Sequence, residues 1–229
     1  AIQTLKDNGY EPFIATGRSP AETRDIMESA NIHSGIFMNG QVVLYQGERV
    51  YSSEIPTETV KKFHQMVKED GYGLTAYNDK QFYLIASSPG AKDAYGFIHS
   101  NPPALNPDFY KENPINMMLF ISLPPAEEKY KVAFPNLDFL RNTPYSVDVI
   151  SKGNSKAEGI KRFLEHLNQE DAKTYAFGDG PNDIEMLQAV SHPVAMGNAL
   201  PILKEIAEFI TTDNTNNGIV NGLKHYGLI

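Results

Sequence analysis

Cysteine is absent from all 229 residues. Its absence excludes disulfides and thiolate chemistry and fits a reducing compartment, so a cytoplasmic location is expected. No apolar run approaches the roughly 18 residues needed for a membrane span, and no segment reads as a secretory signal. Clustered positive charge is missing too. The chain holds 20 Lys and Arg against 28 Asp and Glu, a net charge of −8, and no Lys/Arg-rich run interrupts that balance. Nucleic acid and anionic membrane surfaces are therefore disfavoured as partners. A small anionic ligand is still allowed, because it responds to local site charge. Fixed-period repeats and low-complexity segments are lacking. The six histidines (His33, His64, His99, His166, His192 and His225) show no metal-ligand spacing.

What remains is ordinary globular composition, with 41% apolar and 21% charged residues, in a chain long enough for one large or two modest domains. Ala1, Ile2 and Leu5 already show helical spacing with no N-cap ahead of them. The sequence thus opens inside a helix, and a preceding segment is expected. Apolar periodicity then alternates between short strands and helices. It predicts a strand over 11–15, a helix over 20–30, a strand over 35–38, and a hairpin from 41–45 and 49–52. The pattern changes near Ile55-Pro56. A helix over 57–69 is followed by strands at 73–77, 81–86, 115–122, 137–141 and 145–150, with a short helix at 125–134. The Pro-, Gly-, Ser- and Asn-rich stretch 87–107 reads as a loop or an irregular helix. Tyr72, Tyr77, Phe82 and Tyr83 are candidates for one aromatic face on these hairpins. From Ser151 the βα alternation resumes, with helices at 154–167, 182–190, 201–207 and 217–226 and strands at 174–177, 193–196 and 209–211. Repeated βα units imply a parallel sheet with helices on both faces. The fold class is therefore α/β, a Rossmann-like parallel core with an inserted α+β domain. Met38, Met186 and Met196 read as core.

Four short signals sit at strand ends or helix starts, where an open α/β sheet gathers its ligand site. Thr16-Gly17-Arg18 offers a hydroxyl and backbone N–H groups to phosphate oxygens; alone it is also an ordinary turn. Lys156 opens a helix within Gly153-Asn-Ser-Lys-Ala-Glu-Gly159 and can set an ammonium against a phosphoryl group, although a solvated lysine is the common alternative. Asn39-Gly40 follows a strand and either lines the same crevice or forms a loop tip. The most specific signal is Phe177-Gly-Asp-Gly-Pro-Asn-Asp-Ile-Glu-Met-Leu187, a Gly-rich turn that holds Asp179, Asn182 and Asp183 between strand and helix. Carboxylates so placed suit a hard cation such as Mg²⁺, which takes oxygen ligands. The pairs Asp-Gly and Pro-Asn on their own signal no more than a turn.

Taken in order, these motifs resemble the haloacid dehalogenase superfamily phosphatases, Cof-type branch. The text that carries the likeness is FIATGR (13–18), FMNG (37–40), GNSKAEGI (153–160), FGDGPNDIEML (177–187), VAMGNA (194–199) and TTDNTNNGI (211–219). The resemblance implies a hydrolase core at 1–50 and 151–229 and a cap at 51–150. The cap would close over the core, exclude water and select the leaving group. It also implies Mg²⁺-dependent hydrolysis of phosphate monoesters through an aspartyl-phosphate. By the same likeness Thr16 and Gly17 would bind the phosphoryl oxygens beside Arg18 and Asn39, and Lys156 would bridge nucleophile and phosphoryl group. Asp179 would ligate Mg²⁺, Asp183 would hold metal-bound water and orient Lys156, and Asn182 and Asn198 would support the metal site.

The family's D-x-D-G-T segment, which carries the nucleophile and the general acid/base, lies ahead of Ala1. Residues 1–229 alone are thus expected to be nearly inactive, since losing a nucleophile costs roughly a millionfold in turnover. A sheet interrupted beside strand 11–15 is expected for the same reason. The expected ligand is a small phosphorylated metabolite, either a sugar phosphate or a phosphorylated cofactor. The expected state is a monomer or weak dimer. Two alternatives stay open at this level: a non-catalytic phosphate-binding or regulatory protein, and a phosphosugar mutase.

Overall fold

The computed structural model describes residues 1–229, which divide into two compact units. The first contains Ala1–Thr16, Arg24–Tyr51 and Ser155–Ile229; the second contains Gly17–Thr23 and Ser52–Asn154. In chain order the elements begin with α1 (Ile2–Asp7), β1 (Phe13–Ala15), α2 (Pro20–Ala30), β2 (Ser34–Phe37), β3 (Val42–Tyr45) and β4 (Glu48–Ser52). The second unit supplies α3 (Thr57–Asp70), β5 (Gly73–Tyr77), β6 (Phe82–Ala86), α4 (Ala91–Phe97), α5 (Phe109–Glu112), β7 (Met117–Ile121), α6 (Glu127–Ala133), β8 (Leu137–Thr143) and β9 (Ser146–Ser151). The chain ends with α7 (Lys156–Leu167), β10 (Tyr175–Gly178), α8 (Ile184–Ala189), β11 (His192–Ala195), α9 (Pro201–Ile206), β12 (Phe209–Ile210) and α10 (Gly218–His225).

In the first unit β1 and β2 pair in parallel, with Phe13, Ile14 and Ala15 opposite Ser34, Gly35 and Ile36, and β3 and β4 extend that ladder as a hairpin. A second parallel ladder runs β10-β11-β12. The two ladders are not joined: β1 is paired on one edge only and so is β10. The interruption therefore falls beside β1, as expected from the sequence. Side chains alternate across β10. Ala176 joins Met186 and Leu187 of α8 and Leu203 of α9, while Tyr175 packs with Leu5 of α1 and Leu223 of α10. Helices thus cover both faces, the arrangement that buries a parallel strand on two sides. Phe163 of α7 closes the β1–β3 face against Ile36 and Val43. Met38, Met186 and Met196 are all buried.

The second unit is an antiparallel sheet in the order β6-β5-β7-β9-β8. Phe63 of α3 and Tyr130 of α6 pack on the face formed by Leu74, Ala76, Met118, Phe120, Val147 and Val149. Position parity decides the rest. Thr75 and Tyr77 turn to the opposite face, where their hydroxyls meet the buried Tyr95 hydroxyl of α4 at 2.7 and 2.8 Å. The four aromatic candidates therefore do not share a face. Tyr72 and Tyr83 pack on the helix side, whereas Tyr77 and Phe82 stack on each other with centroids 5.1 Å apart.

Candidate active site

The acidic turn leaves the C-terminal end of β10. Gly178 has to be glycine here, because a Cβ at that position would lie 2.7 Å from the Asp183 Cβ. The turn closes on Asp183, whose Oδ2 accepts the backbone N–H groups of Asp179 (2.9 Å) and Gly180 (3.0 Å). Its other oxygen, Oδ1, accepts from Lys156 Nζ at 2.6 Å. Both side chains of this pair are buried, so the ammonium is held in one direction by a carboxylate that the backbone already fixes. Lys156 occupies the first turn of α7, which starts where the Ser155 hydroxyl accepts from the Glu158 N–H at 3.2 Å, a normal N-cap.

Asp179 is different. It is exposed, and its Oδ2 accepts from Asn198 Nδ2 at 2.8 Å, so the second oxygen is left to face outward. Asn198 is held in turn by the Asn214 N–H, which donates to its Oδ1 at 3.2 Å. The Leu200 N–H donates to the Asp179 carbonyl at 3.2 Å. The loop after β12 therefore reaches the acidic turn through one asparagine.

The third wall is built after β1 and β2. The Thr16 N–H donates to the Ile36 carbonyl at 2.8 Å, and the Thr16 carbonyl accepts from the Asn39 N–H at 3.1 Å. Met38, Asn39 and Gly40 follow with φ of 50, 54 and 92°. Three consecutive left-handed residues are unusual, since each non-glycine member costs on the order of 1–2 kcal/mol. A Cβ on Gly40 would collide with the Ser155 carbonyl oxygen. The asparagine side chain extends to the acidic turn, where Asn39 Oδ1 accepts from Asn182 Nδ2 at 3.0 Å.

Thr16, Asn39, Lys156, Asp179, Asn182, Asp183 and Asn198 thus belong to one unit and are tied by short hydrogen bonds. Gly17 and Arg18 follow Thr16 directly in sequence but group with the other unit. The sequence offered no sign of the Gly40–Ser155 contact or of the Asn214 backbone donor. The only available hint was the Asn-Gly pair, which marks a positive φ without naming its neighbour.

The donor set bears on the cation. No group of three or more His, Cys, Asp or Glu side chains converges in a metal-binding arrangement. Asp179 offers one outward oxygen, while both Asp183 oxygens are engaged by Lys156 and by backbone N–H groups. That poverty suits Mg²⁺, which keeps several waters and uses one or two carboxylates together with substrate phosphate oxygens.

A two-unit α/β protein with an acidic turn, a buried lysine and a threonine turn at strand ends is the class this architecture defines. A family model for haloacid dehalogenase-like hydrolases matches residues 1–223, and the chain belongs to that family. Over 229 residues it is 36% identical to the YkrA protein of Bacillus subtilis (strain 168), covering all of this chain and 89% of that one. Among solved structures, a protein of Geobacillus kaustophilus HTA426 matches with a TM-score of 0.92 at 33% identity, over 100% of this chain and 90% of the other. The subclass IIB sugar phosphatase BT4131 matches with a TM-score of 0.84 at 28% identity, over 100% of this chain and 91% of its own. No helix is long and apolar enough to cross a membrane.

Proposed function

We propose that this protein is a Mg²⁺-dependent phosphatase that hydrolyses phosphate monoesters of small metabolites, either sugar phosphates or phosphorylated cofactors. The observation that carries the reading is the buried Lys156–Asp183 contact at 2.6 Å beside the outward carboxylate of Asp179. A cation fixed by a backbone-anchored carboxylate cannot swing away to bulk solvent. It is preorganised for the negative charge of a phosphoryl group.

The residues divide the task. Asp179 offers its free oxygen to Mg²⁺, with Asn198 holding the other oxygen and Asn182 alongside. When bound, the ion supplies positive charge against the phosphoryl oxygens. Asp183 holds the Lys156 ammonium in one direction and would orient water carried by the bound ion. The Thr16 hydroxyl binds the phosphoryl group. By the family resemblance, the attacking carboxylate and the general acid/base would be those of a D-x-D-G-T segment. The similarity to a protein described as a sugar phosphatase supports a phosphosugar as the first substrate class to test. A cytoplasmic monomer or weak dimer fits the composition.

The experiment is phosphate release by the full-length protein from a panel of phosphorylated metabolites and p-nitrophenyl phosphate, with and without Mg²⁺. Asp179→Ala is expected to abolish Mg²⁺-dependent turnover while leaving the circular dichroism and melting temperature unchanged. Unaltered turnover in that variant refutes the metal assignment. Isomerised product without free phosphate indicates a mutase, and ligand binding without any product indicates a regulatory protein.

A further inference from the structure

The left-handed turn Met38-Asn39-Gly40 is an expensive piece of backbone, fully buried, and two of its contacts lead into the site. Gly40 lies so close to Ser155 that no side chain fits between them. The turn is thereby seated against the residue that caps the Lys156 helix. Asn39 reaches Asn182 across 143 residues of sequence separation. Two asparagine amides facing each other can pair only as oxygen to N–H₂, so the orientation of one sets the other.

The consequence lies at Asn182. With its Nδ2 donating to Asn39, its Oδ1 is directed back over the acidic turn, and a Cβ placed on Gly180 would lie 3.2 Å from that oxygen. An amide turned the other way would present two N–H donors to the same region. A hard cation needs oxygen lone pairs and is repelled by such donors. We infer that Asn39 is a positioning residue: it fixes the amide orientation of Asn182 so that Oδ1, and not Nδ2, faces the cation side of the Asp179–Asp183 turn. This deepens the proposed function and rests on it, since the cation is the one assigned to Asp179. It also explains why an asparagine sits at φ 54° inside a turn where glycine would be more comfortable.

The test uses the full-length protein and Mg²⁺ alone, titrated by calorimetry, with p-nitrophenyl phosphate kinetics in parallel. Asn39→Gly is the informative variant, because glycine accepts the left-handed backbone and only the amide is lost. Its Mg²⁺ dissociation constant is expected to rise about tenfold, as is usual when a group behind a metal ligand is removed. The KM for p-nitrophenyl phosphate at saturating Mg²⁺ should stay unchanged. Asn39→Asp, whose carboxylate can only accept, is expected to restore the Mg²⁺ affinity. Asn182→Ala should weaken Mg²⁺ to a similar extent, and the Asn39→Gly/Asn182→Ala double variant should be no weaker than Asn182→Ala alone.

Wild-type Mg²⁺ affinity in Asn39→Gly overturns the inference, as do additive effects in the double variant. A changed KM at saturating Mg²⁺ would instead show Asn39 touching substrate directly. If the wild-type protein itself binds no Mg²⁺, the proposed function fails and this inference with it. If the wild type binds and only Asn39→Gly is silent, the inference fails alone.

Discussion

Lys156 Nζ and Asp183 Oδ1 stand 2.6 Å apart with side-chain exposures of only 6 and 8%, and Asp183 Oδ2 is saturated by two backbone N–H groups. A buried pair of this kind contributes little net stability when intact but is costly to break, because the surviving charge stays buried without a partner. Lys156→Met is therefore expected to lower the unfolding free energy by about 3–5 kcal/mol, measured by urea denaturation at neutral pH. A loss below about 1 kcal/mol would mean that Asp183 is hydrated without its lysine. The lysine then serves the site as much as the fold.

Gly40 and Gly47 make a matched pair for separating contact from conformation. Both have positive φ, 92 and 84°. A Cβ at Gly40 would strike the Ser155 carbonyl, while nothing lies within 4 Å of one at Gly47. Gly47→Ala should cost about 1 kcal/mol, the strain of a left-handed alanine. Gly40→Ala should cost at least about 3 kcal/mol, because the backbone must also move apart. Equal costs from chemical denaturation would contradict the close approach.

His64, on α3, gives the second unit a pH dependence. Burial holds its imidazole below the ordinary value of 6.5; Lys68 and Lys111 add to that, while a hydrogen bond with the Ile85 backbone and the charge of Asp108 oppose it. Its Nε2 is buried without a partner. The unfolded chain takes up a proton near pH 6.5, whereas the folded protein resists it until a lower pH. Stability from this group is therefore complete above about pH 6.5 and is lost as the pH falls below that value. The fall in unfolding free energy between pH 7.5 and 5.5 should be smaller in His64→Phe than in the wild type. An identical fall in both would assign the dependence to other groups.

Asn198 donates to Asp179 at 2.8 Å and accepts from the Asn214 N–H at 3.2 Å. Asn198→Ala leaves the Asp179 carboxylate free to rotate, and Mg²⁺ affinity should drop by about tenfold. Asp179 is exposed, so the melting temperature without metal should change by no more than about 2 °C. Calorimetric titration and a thermal melt check the two halves separately.

The elements were largely legible because each is written in local patterns. The helix predicted over 20–30 is present as Pro20–Ala30 and the strand predicted over 73–77 as Gly73–Tyr77, since apolar period and turn residues act over a few positions. The short helix Phe109–Glu112 escaped notice. It spans one turn, too few residues for a period to show. Among site residues, Asp179, Asp183 and Lys156 were visible as types at strand and helix ends. The pairing of Asn39 with Asn182, and of Gly40 with Ser155, was not visible. No local rule links positions more than a hundred residues apart.

What the sequence determined by itself is chemistry and punctuation: oxygen-donor side chains on a Gly-rich turn, a lysine at a helix start, and the βα alternation that fixes the fold class. What only the tertiary structure decided is which atoms of those residues are spent. Both Asp183 oxygens are used inside the protein, one Asp179 oxygen is not, and the Asn182 amide is turned by its partner. Hydrogen-bond direction depends on where the chain brings distant groups together, and that is settled by packing across the whole unit, not by any stretch of neighbouring residues.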